Sequence, residues 1–246
     1  MNKADNPWLA RAAEQNASSG LADGSHVAVI GAGPAGSMFT YFLQSMAETV
    51  GLDVSVDMYE PRSFCNRGPA GCNHCGGIVS ESLVQRVVTE GVRLPDDVVQ
   101  RGIESYTLHM DVGDVEIATP LMEKRIAAIY RGNGPKESQL LDTHSFDGYL
   151  LEMARKKKAN LIPKLVTDVR RTEDCMTVAC ADKTEKDYDL VVVATGVNSR
   201  LMEMLEETPL EFSRPERTKT FICEFDLGRD VIRETFGPSM HVFLLD

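Results

Sequence analysis

The sequence VAVIGAGPAGS, residues 27–37, joins a short apolar run to a glycine-rich loop. The run from Val27 to Ile30 predicts a buried parallel strand, because it is continuous, β-branched and bounded by a glycine. An apolar-periodic helix is expected next, over residues 38–46, followed by a second strand over residues 54–59. A strand, a turn, a helix and a strand in about 30 residues have the size of one βαβ unit.

The glycine loop fits the spacing G-x-G-x-x-G between that strand and that helix. Gly31 permits the tight turn, Gly33 lets a pyrophosphate approach the backbone, and Gly36 lets the helix pack closely on the strand. The helix N-terminus offers N–H groups and a positive dipole end to the anion. Glu60 closes the second strand 24 residues beyond Gly36, where a carboxylate accepts hydrogen bonds from ribose hydroxyls and repels a 2′-phosphate. The pattern predicts a dinucleotide site.

A second motif, YDLVVVATG at residues 188–196, follows late in the chain. It resembles the second short signature of FAD-binding flavoproteins with the two-dinucleotide fold, and GAGPAGS with Glu60 resembles their first. A β-meander replaces the repeated βαβ units that an NAD dehydrogenase would show. The expected fold is therefore α/β, an FAD-binding two-dinucleotide fold with a Rossmann-like βαβ unit and a β-meander, plus a partial antiparallel substrate sheet.

Composition narrows the class of protein. The 246 residues include 26 Lys and Arg against 37 Asp and Glu, a net charge of −11, which argues against nucleic acid as a main partner. A hydrophobic share of 43% is ordinary for a globular chain. The sequence has no run of 18 apolar residues and no signal-peptide core near its start, so we expect a cytoplasmic protein without a transmembrane segment.

Further elements are expected from periodicity and β-branched runs. Helices are predicted over residues 78–92 and 146–158, a β-meander over 105–132, and strands over 161–170, 175–180, 187–194, 218–228 and 240–245. The domain prediction has a polar tail over 1–25, a discontinuous FAD-binding domain over 26–100 and 140–204, and substrate-domain strands over 101–139 and 205–246.

Cysteines crowd the loop just beyond Glu60, at Cys65, Cys72 and Cys75. Three interpretations compete for them. Cys72-x-x-Cys75 has the spacing of a redox dithiol. The three thiols with His74 could instead hold zinc or an iron–sulfur cluster, although a fourth ligand is not obvious. The third interpretation, which we favour, has the loop pack against a flavin, with one thiol facing the substrate and no metal.

The order GAGPAGS, Glu60, Cys75-Gly76-Gly77, SFDGYLLEMARKKKANLIPKLVTDVRR and ATG resembles the geranylgeranyl reductase family of FAD-dependent oxidoreductases, within the aromatic-hydroxylase-like flavoproteins. The resemblance runs from about Val27 to Arg200. It implies Cys75 as the catalytic residue, a proton donor or redox partner beside the flavin. The cofactor-binding residues that it implies are Gly31, Gly33, Pro34, Ala35, Gly36, Glu60, Arg62, Gly76, Gly77, Val166, Thr195 and Gly196.

The resemblance also implies the reaction and the partners. The expected enzyme transfers a hydride between reduced FAD and a C=C bond of an apolar, isoprenoid-like small molecule. NAD(P)H or ferredoxin is the expected electron donor, and peripheral contact with a membrane is compatible with such a substrate. The alternatives are a flavin-dependent monooxygenase of an aromatic or quinone-like substrate, and a thiol/disulfide flavoenzyme or metal-binding module built on Cys65, Cys72 and Cys75.

The chain departs from the family pattern in four places. Cys65 and Cys72 are extra to the family's Cys-Gly-Gly loop, and MHVFLLD matches the family's late aromatic-rich substrate motif poorly. The family commonly has an Arg shortly before the Phe-Asp pair of the later helix, where this chain has Thr143-His144-Ser145, and Arg131 is the expected substitute. The C-terminal Gly-Asp segment of the family is missing, so we expect the chain to be an N-terminal portion, with FAD binding weak and activity absent in this portion alone. Asp147 is interpreted as a first-turn helix acid, and His109 and His241 as structural histidines.

Overall fold

A computed structural model describes residues 20–68, 77–118, 126–134, 145–173, 175–208, 212–223 and 225–244. The chain divides into two compact units. Unit 1 comprises residues 1–62 and 150–218, and unit 2 comprises residues 63–149 and 219–246. The predicted mixture of parallel and antiparallel sheets in an α/β chain is confirmed. The predicted domain boundaries and the two-dinucleotide fold stay predictions.

Unit 1 is built on a four-stranded parallel sheet of order β12-β1-β2-β8. Its strands are β1 (Ser25–Ile30), β2 (Val54–Tyr59), β8 (Asn160–Ile162) and β12 (Leu190–Val193). Strand β1 lies inside the sheet, with Ile30 opposite Val193 on one side and Tyr59 on the other. Its burial on both faces explains the uninterrupted apolar run seen in the sequence.

Helix α1 (Pro34–Val50) connects β1 to β2. Pro34 stands in its first turn, where a missing N–H costs nothing. The helix ends at Gly51, whose φ of 70° is the left-handed conformation that glycine tolerates. The Leu52 N–H then donates to the Ala47 carbonyl at 2.9 Å, which closes the last turn. The predicted βαβ unit is present, with α1 longer at both ends than the periodicity indicated.

The remainder of unit 1 is an antiparallel sheet and two helical segments. The strands are β9 (Val166–Arg171), β10 (Met176–Cys180) and β11 (Glu185–Tyr188), paired in the order β11-β10-β9. Helix α4 (Arg200–Glu206) contacts β9, and residues from Leu150 onward of helix α3 (Phe146–Lys156) also belong here. The core of the unit joins both sheets to α4 through Ala28, Ile30, Tyr59, Val166, Val169, Val178, Cys180, Tyr188 and Leu201.

Unit 2 contains two three-stranded sheets. The first has the order β3-β7-β4, from β3 (Ile78–Ser80), β4 (Val99–Ile103) and β7 (Ile126–Ile129). The second has the order β13-β5-β6, from β5 (Ser105–Met110), β6 (Gly113–Ala118) and β13 (Ser239–Phe243). Helices α2 (Glu81–Thr89) and α5 (Arg229–Thr235), with the first turn of α3, complete the described elements of this unit.

Three element predictions for unit 2 need correction. Residues 78–92 begin as strand β3, because Ile78 and Val79 pair with β7, and only α2 is helical. The predicted meander over 105–132 is a β5–β6 hairpin, since β7 pairs with β3 and β4 rather than with β6. The predicted strand over 218–228 is absent from its described residues, where Phe221 and Phe225 stay largely exposed without a paired neighbour.

Candidate dinucleotide site

The two predicted motifs meet at one edge of the parallel sheet. Because β1, β2 and β12 are parallel neighbours, their carboxyl ends lie at the same edge, where α/β sheets bind ligands. The Gly31 N–H donates to the Tyr59 carbonyl at 2.8 Å, and the Ala194 N–H donates to the Ile30 carbonyl at 2.8 Å. The glycine loop, the end of β2 and the segment Ala194–Gly196 are therefore held side by side.

Gly31 and Gly36 are glycines because the backbone leaves no room for a side chain. Gly31 has a φ of 99°, and a Cβ on it would lie 2.5 Å from the Ala194 carbonyl oxygen. A Cβ on Gly36 would lie 1.9 Å from the carbonyl oxygen of Gly31. The Ser37 hydroxyl closes the loop by donating to the Ala32 carbonyl at 2.8 Å. These two glycines shape the loop itself.

Gly33 differs from its two neighbours in the motif. It is the N-cap of α1, with φ −65° and ψ −173°, and no side chain caps this end of the helix. A Cβ on Gly33 would meet no protein atom within 4 Å. The extended conformation is open to other residues and is the one favoured before Pro34. The fold therefore does not require glycine here, whereas a bound anion against the helix N-terminus would.

Glu60 is buried at the end of β2, with 4% of its surface exposed. Its Oε2 accepts from the Ala32 N–H at 3.2 Å, which ties the acid to the glycine loop. Its Oε1 accepts from the backbone N–H and the Nε of Arg62, each at 3.0 Å. The Arg62 guanidinium offsets the negative charge of Glu60, so the repulsion of a 2′-phosphate is weaker than the acid alone predicts.

Thr195 and Gly196 follow β12 beside the loop. The Thr195 Oγ1 is buried and has no hydrogen-bond partner in the described parts of the chain. A buried hydroxyl without a partner is costly, so it marks a place where a ligand oxygen would be stabilising. Gly196 has a φ of 75° and open space around its Cβ position. A cofactor passing over the loop fits both features.

The other predicted site residues lie on several elements or outside the described residues. Val166 is the first residue of β9 and pairs with Cys180 in the antiparallel sheet of unit 1. Gly77 belongs to unit 2, where its φ of 65° places its Cβ position 2.3 Å from the Ile129 carbonyl oxygen. Pro34 and Ala35 form the first turn of α1. Cys72, Cys75 and Gly76 lie outside the described residues, and Cys65 is an exposed free thiol.

A polar cluster around the buried Asp57 was missed by sequence reasoning. Asp57 of β2 accepts from Lys186 Nζ at 2.7 Å, Asn160 Nδ2 at 2.8 Å and the Tyr188 hydroxyl at 2.8 Å. The Tyr188 and Tyr59 hydroxyls are 2.6 Å apart. Burial raises the pKa of both tyrosines, so the phenols stay protonated. The sequence signal that could have revealed the cluster is the position of Asp57 between apolar residues in VSVDMY, since a charged residue inside a predicted buried strand needs polar partners.

Arg131 pairs with Asp147 in unit 2. Its Nε and Nη2 donate to the two carboxylate oxygens at 2.5 and 2.9 Å, and Asp147 is fully buried. Asp147 does lie in the first turn of α3, as interpreted from the sequence. The Ser145 hydroxyl donates to the Arg131 carbonyl at 2.7 Å and accepts from the Gly148 N–H at 3.2 Å. These contacts attach the chain after β7 to the start of α3.

Two structural absences hold for the described ranges. No group of three or more His, Cys, Asp or Glu side chains is placed to hold a metal ion among residues whose positions the structure describes. In the same part of the chain, no helix combines the length and apolar character needed to cross a membrane.

Comparison with protein-family models finds no match, and comparison with curated protein sequences finds none. Solved structures do match. Halogenase PltM in complex with phloroglucinol and FAD is 14% identical over 74% of this chain and 36% of its own, with a TM-score of 0.52. FqzB is 17% identical over 77% of this chain and 40% of its own, with a TM-score of 0.50. The chain thus spans well under half of these structures and shares the fold of part of them, one of which contains FAD.

Proposed function

We propose that this chain carries the FAD site of an FAD-dependent oxidoreductase. The observation that carries the proposal is the contrast among the loop glycines. Gly31 and Gly36 are required by the protein's own backbone, but the space beside Gly33 is open and adjoins an uncapped helix N-terminus. An anionic ligand explains why a residue that the fold leaves free is glycine.

The residues at the sheet edge take separate parts of such a ligand. In the first turn of α1, the Ala35 N–H would donate to the pyrophosphate beside Pro34, whose nitrogen carries no proton, and Glu60 with Arg62 would hold the adenosine ribose. The buried Thr195 hydroxyl would donate to a cofactor oxygen beside Gly196. Val166, Gly76 and Gly77 remain proposed cofactor contacts on the resemblance to geranylgeranyl reductases. Bound FAD would supply hydride-transfer chemistry.

The proposed substrate class rests on that same resemblance. An apolar molecule with a C=C bond would be reduced, with Cys75 donating the proton and NAD(P)H or ferredoxin supplying electrons. A second candidate is oxidation of an aromatic substrate, which the fold shared with PltM favours, because that protein was solved with phloroglucinol and FAD. Oxygen consumption during turnover with NAD(P)H distinguishes the aromatic oxidation from C=C reduction.

The binding test compares Gly33→Val with the native chain. We expect FAD and ADP to bind the native chain, FAD with the two-band flavin absorption spectrum and ADP by calorimetry. Gly33→Val should lose both ligands, because the branched side chain fills the space of the pyrophosphate, while its circular dichroism and unfolding midpoint stay native. ADP is included because it needs only the glycine loop and Glu60.

Thr49→Val is the matched control, since it places the same side chain at an exposed position in the last turn of α1. It should bind both ligands like the native chain. A folded Gly33→Val chain that retains ADP and FAD would contradict the proposal, and so would a native chain that binds neither.

A further inference from the structure

Two histidines and an aspartate form a hydrogen-bonded chain across the β13-β5-β6 sheet of unit 2. His109 of β5 contacts Asp114 of β6 through its Nδ1, at 2.9 Å from Oδ1. The Nε2 of His109 lies 2.8 Å from the Nδ1 of His241 in β13. The Nε2 of His241 lies 3.0 Å from the Phe236 carbonyl oxygen. All four ring nitrogens are therefore engaged.

The two rings meet end to end rather than face to face. Their planes differ by 18°, and their centroids are 5.1 Å apart. The facing nitrogens are Nε2 of His109 and Nδ1 of His241, which are 2.8 Å apart. The distance between the centroids is longer than this by about the width of one imidazole ring, that is, by half a ring on each side. The facing nitrogens therefore lie close to the line that joins the two centroids. The in-plane position at each facing nitrogen consequently points at the other. This is the geometry of a linear N–H···N hydrogen bond, and it leaves no room for a metal ion between the rings.

The number of protons follows from the partners. An ionised carboxylate and a carbonyl only accept, so His109 Nδ1 and His241 Nε2 must each carry a proton. Those two protons complete two neutral imidazoles and leave two lone pairs facing each other. The contact between the facing nitrogens needs a third proton. Three protons on four nitrogens give the pair one positive charge.

We propose that His109 and His241 form a proton-sharing imidazole–imidazolium pair that fastens β13 to β5 in a pH-dependent way. The positive charge of the pair faces the Asp114 carboxylate from β6. From β13 the pair meets the Phe243 ring, 4.3 Å from the His109 centroid, and from the end of α5 it meets the Phe236 ring and carbonyl. Of the other charged groups on β6 and α5, Glu116 accepts from Ser105 and Arg233 pairs with Asp230, and α5 also carries Arg229 and Glu234.

Loss of the shared proton weakens one specific attachment. The β13 strand lies parallel to β5, and the Leu244 N–H donates to the His109 carbonyl at 3.0 Å. When the third proton leaves, two protons remain for three contacts, so one hydrogen bond of the pair is lost and the bond between the two strands is no longer charge-assisted. Backbone pairing at the end of β13 should therefore open more readily as the pH rises.

Nuclear magnetic resonance of the full chain with ¹⁵N-labelled histidine tests the proton count. Between pH 5 and 9, we expect the pair to go from three ring protons to two in a single step that both residues report together. His26, whose exposed ring lies 2.8 Å from the Ser55 hydroxyl, is the reference histidine outside the pair. Separate titrations of His109 and His241, or facing nitrogens without a proton at pH 6, would overturn the proposal.

Hydrogen exchange of the Leu244 amide tests the attachment. His241→Phe keeps a flat ring but removes both nitrogens, and it should exchange about tenfold faster than the native chain at pH 6 after correction for intrinsic rates. The native chain should approach the rate of the variant at pH 9. Phe243→Leu is the matched control, because it changes packing but retains the shared proton, so its exchange should keep the pH dependence. Equal pH dependence in native and His241→Phe chains would also overturn the proposal.

Discussion

Gly36 and Gly148 show how differently two helical glycines can matter. A Cβ at Gly36 would overlap the Gly31 carbonyl oxygen, a backbone atom that cannot move without opening the loop. A Cβ at Gly148 would make an ordinary contact, 3.5 Å from the Ser145 Cβ. The same substitution should therefore have opposite effects at the two positions.

Gly36→Ala should lower the free energy of unfolding by about 1–3 kcal/mol, because the added methyl group overpacks the turn. Gly148→Ala should leave it unchanged or raise it by about 0.5–1 kcal/mol, since alanine is the better helix former. Urea denaturation followed by circular dichroism measures both. Equal losses in the two variants would contradict the proposed origin of the glycine at position 36.

At the scale of single residues, the sequence identifies the loop glycines and Glu60 as candidate site residues, because their roles depend on local spacing. It did not indicate that the Glu60 carboxylate holds the Ala32 N–H, because that contact depends on where β1 and β2 lie relative to each other. The buried Thr195 hydroxyl is a similar case. That this hydroxyl has no hydrogen-bond partner among the described residues is evident only from the three-dimensional positions of the surrounding atoms.

At the scale of elements, Asp57 attaches β2 to β8 and to β11. Burial by itself raises the pKa of Asp57, but hydrogen bonds from Lys186, Asn160 and Tyr188 together hold it below the ordinary value. A carboxyl whose folded pKa is lowered adds stability in full above its unfolded pKa of about 3.9, and that stability is lost as the pH falls through the folded value. The Asp57 contribution should therefore vanish on acidification.

Asp57→Asn should be less stable than the native chain at pH 6, and this difference should shrink between about pH 4 and pH 2. Urea unfolding midpoints across that range provide the measurement. Asp182→Asn is the positive reference, because the Thr184 hydroxyl and Lys164 lower the pKa of this exposed carboxyl to about 2, so its difference from the native chain should shrink over the same range. Parallel pH curves for native and Asp57→Asn chains would show that the Asp57 contacts contribute no pH-dependent stability.

The Arg131–Asp147 pair is the corresponding attachment in unit 2, between the end of β7 and the start of α3. Arg131→Met should cost about 3–5 kcal/mol, because it leaves the fully buried Asp147 carboxylate without its cation. Arg131→Met combined with Asp147→Leu should recover most of that loss, since no buried charge remains. Unfolding free energies of the two variants check this, and an equally large loss in the double variant would assign the cost to packing instead.

Element prediction succeeded where a pattern was local and failed where pairing mattered. The β1–α1–β2 unit and strand β13 follow from uninterrupted apolar or periodic runs. The sequence predicts a helix at residues 78–80, but these residues form a strand because they pair with β7, a partner almost 50 residues away. The local sequence carries no sign of that distant partner. Residues 218–228 have strand-like alternation, but alternation alone does not supply a neighbouring edge.

At the scale of the whole molecule, strand β1 joins the two chain segments of unit 1, because it pairs with β2 from the first segment and with β12 from the second. The β1–β2 pair closes over the single helix α1, whereas β12 joins β1 across 163 residues. Contacts of such different separation should form at different stages of folding, because long loops are closed late. The order of strands could not be predicted from residue patterns, since strands β2, β8 and β12 are all short and apolar in part.

Folding kinetics should separate the two pairings. Val56→Ala in β2 should mainly slow refolding, while Val192→Ala in β12 should mainly accelerate unfolding, with each variant losing about 1–3 kcal/mol of stability. Stopped-flow refolding and unfolding in urea measure both rates. Slower refolding of Val192→Ala by as much as Val56→Ala would show that β12 is already paired in the transition state.

The interior position of β1 has a consequence for biosynthesis. Strand β1 leaves the ribosome before the other described strands, but one of its edges stays unpaired until β12 is made more than 160 residues later. At about 5–20 residues per second, this delay is on the order of ten seconds. During that time the nascent chain presents an apolar strand edge, the kind of surface that chaperones bind and that aggregation exploits.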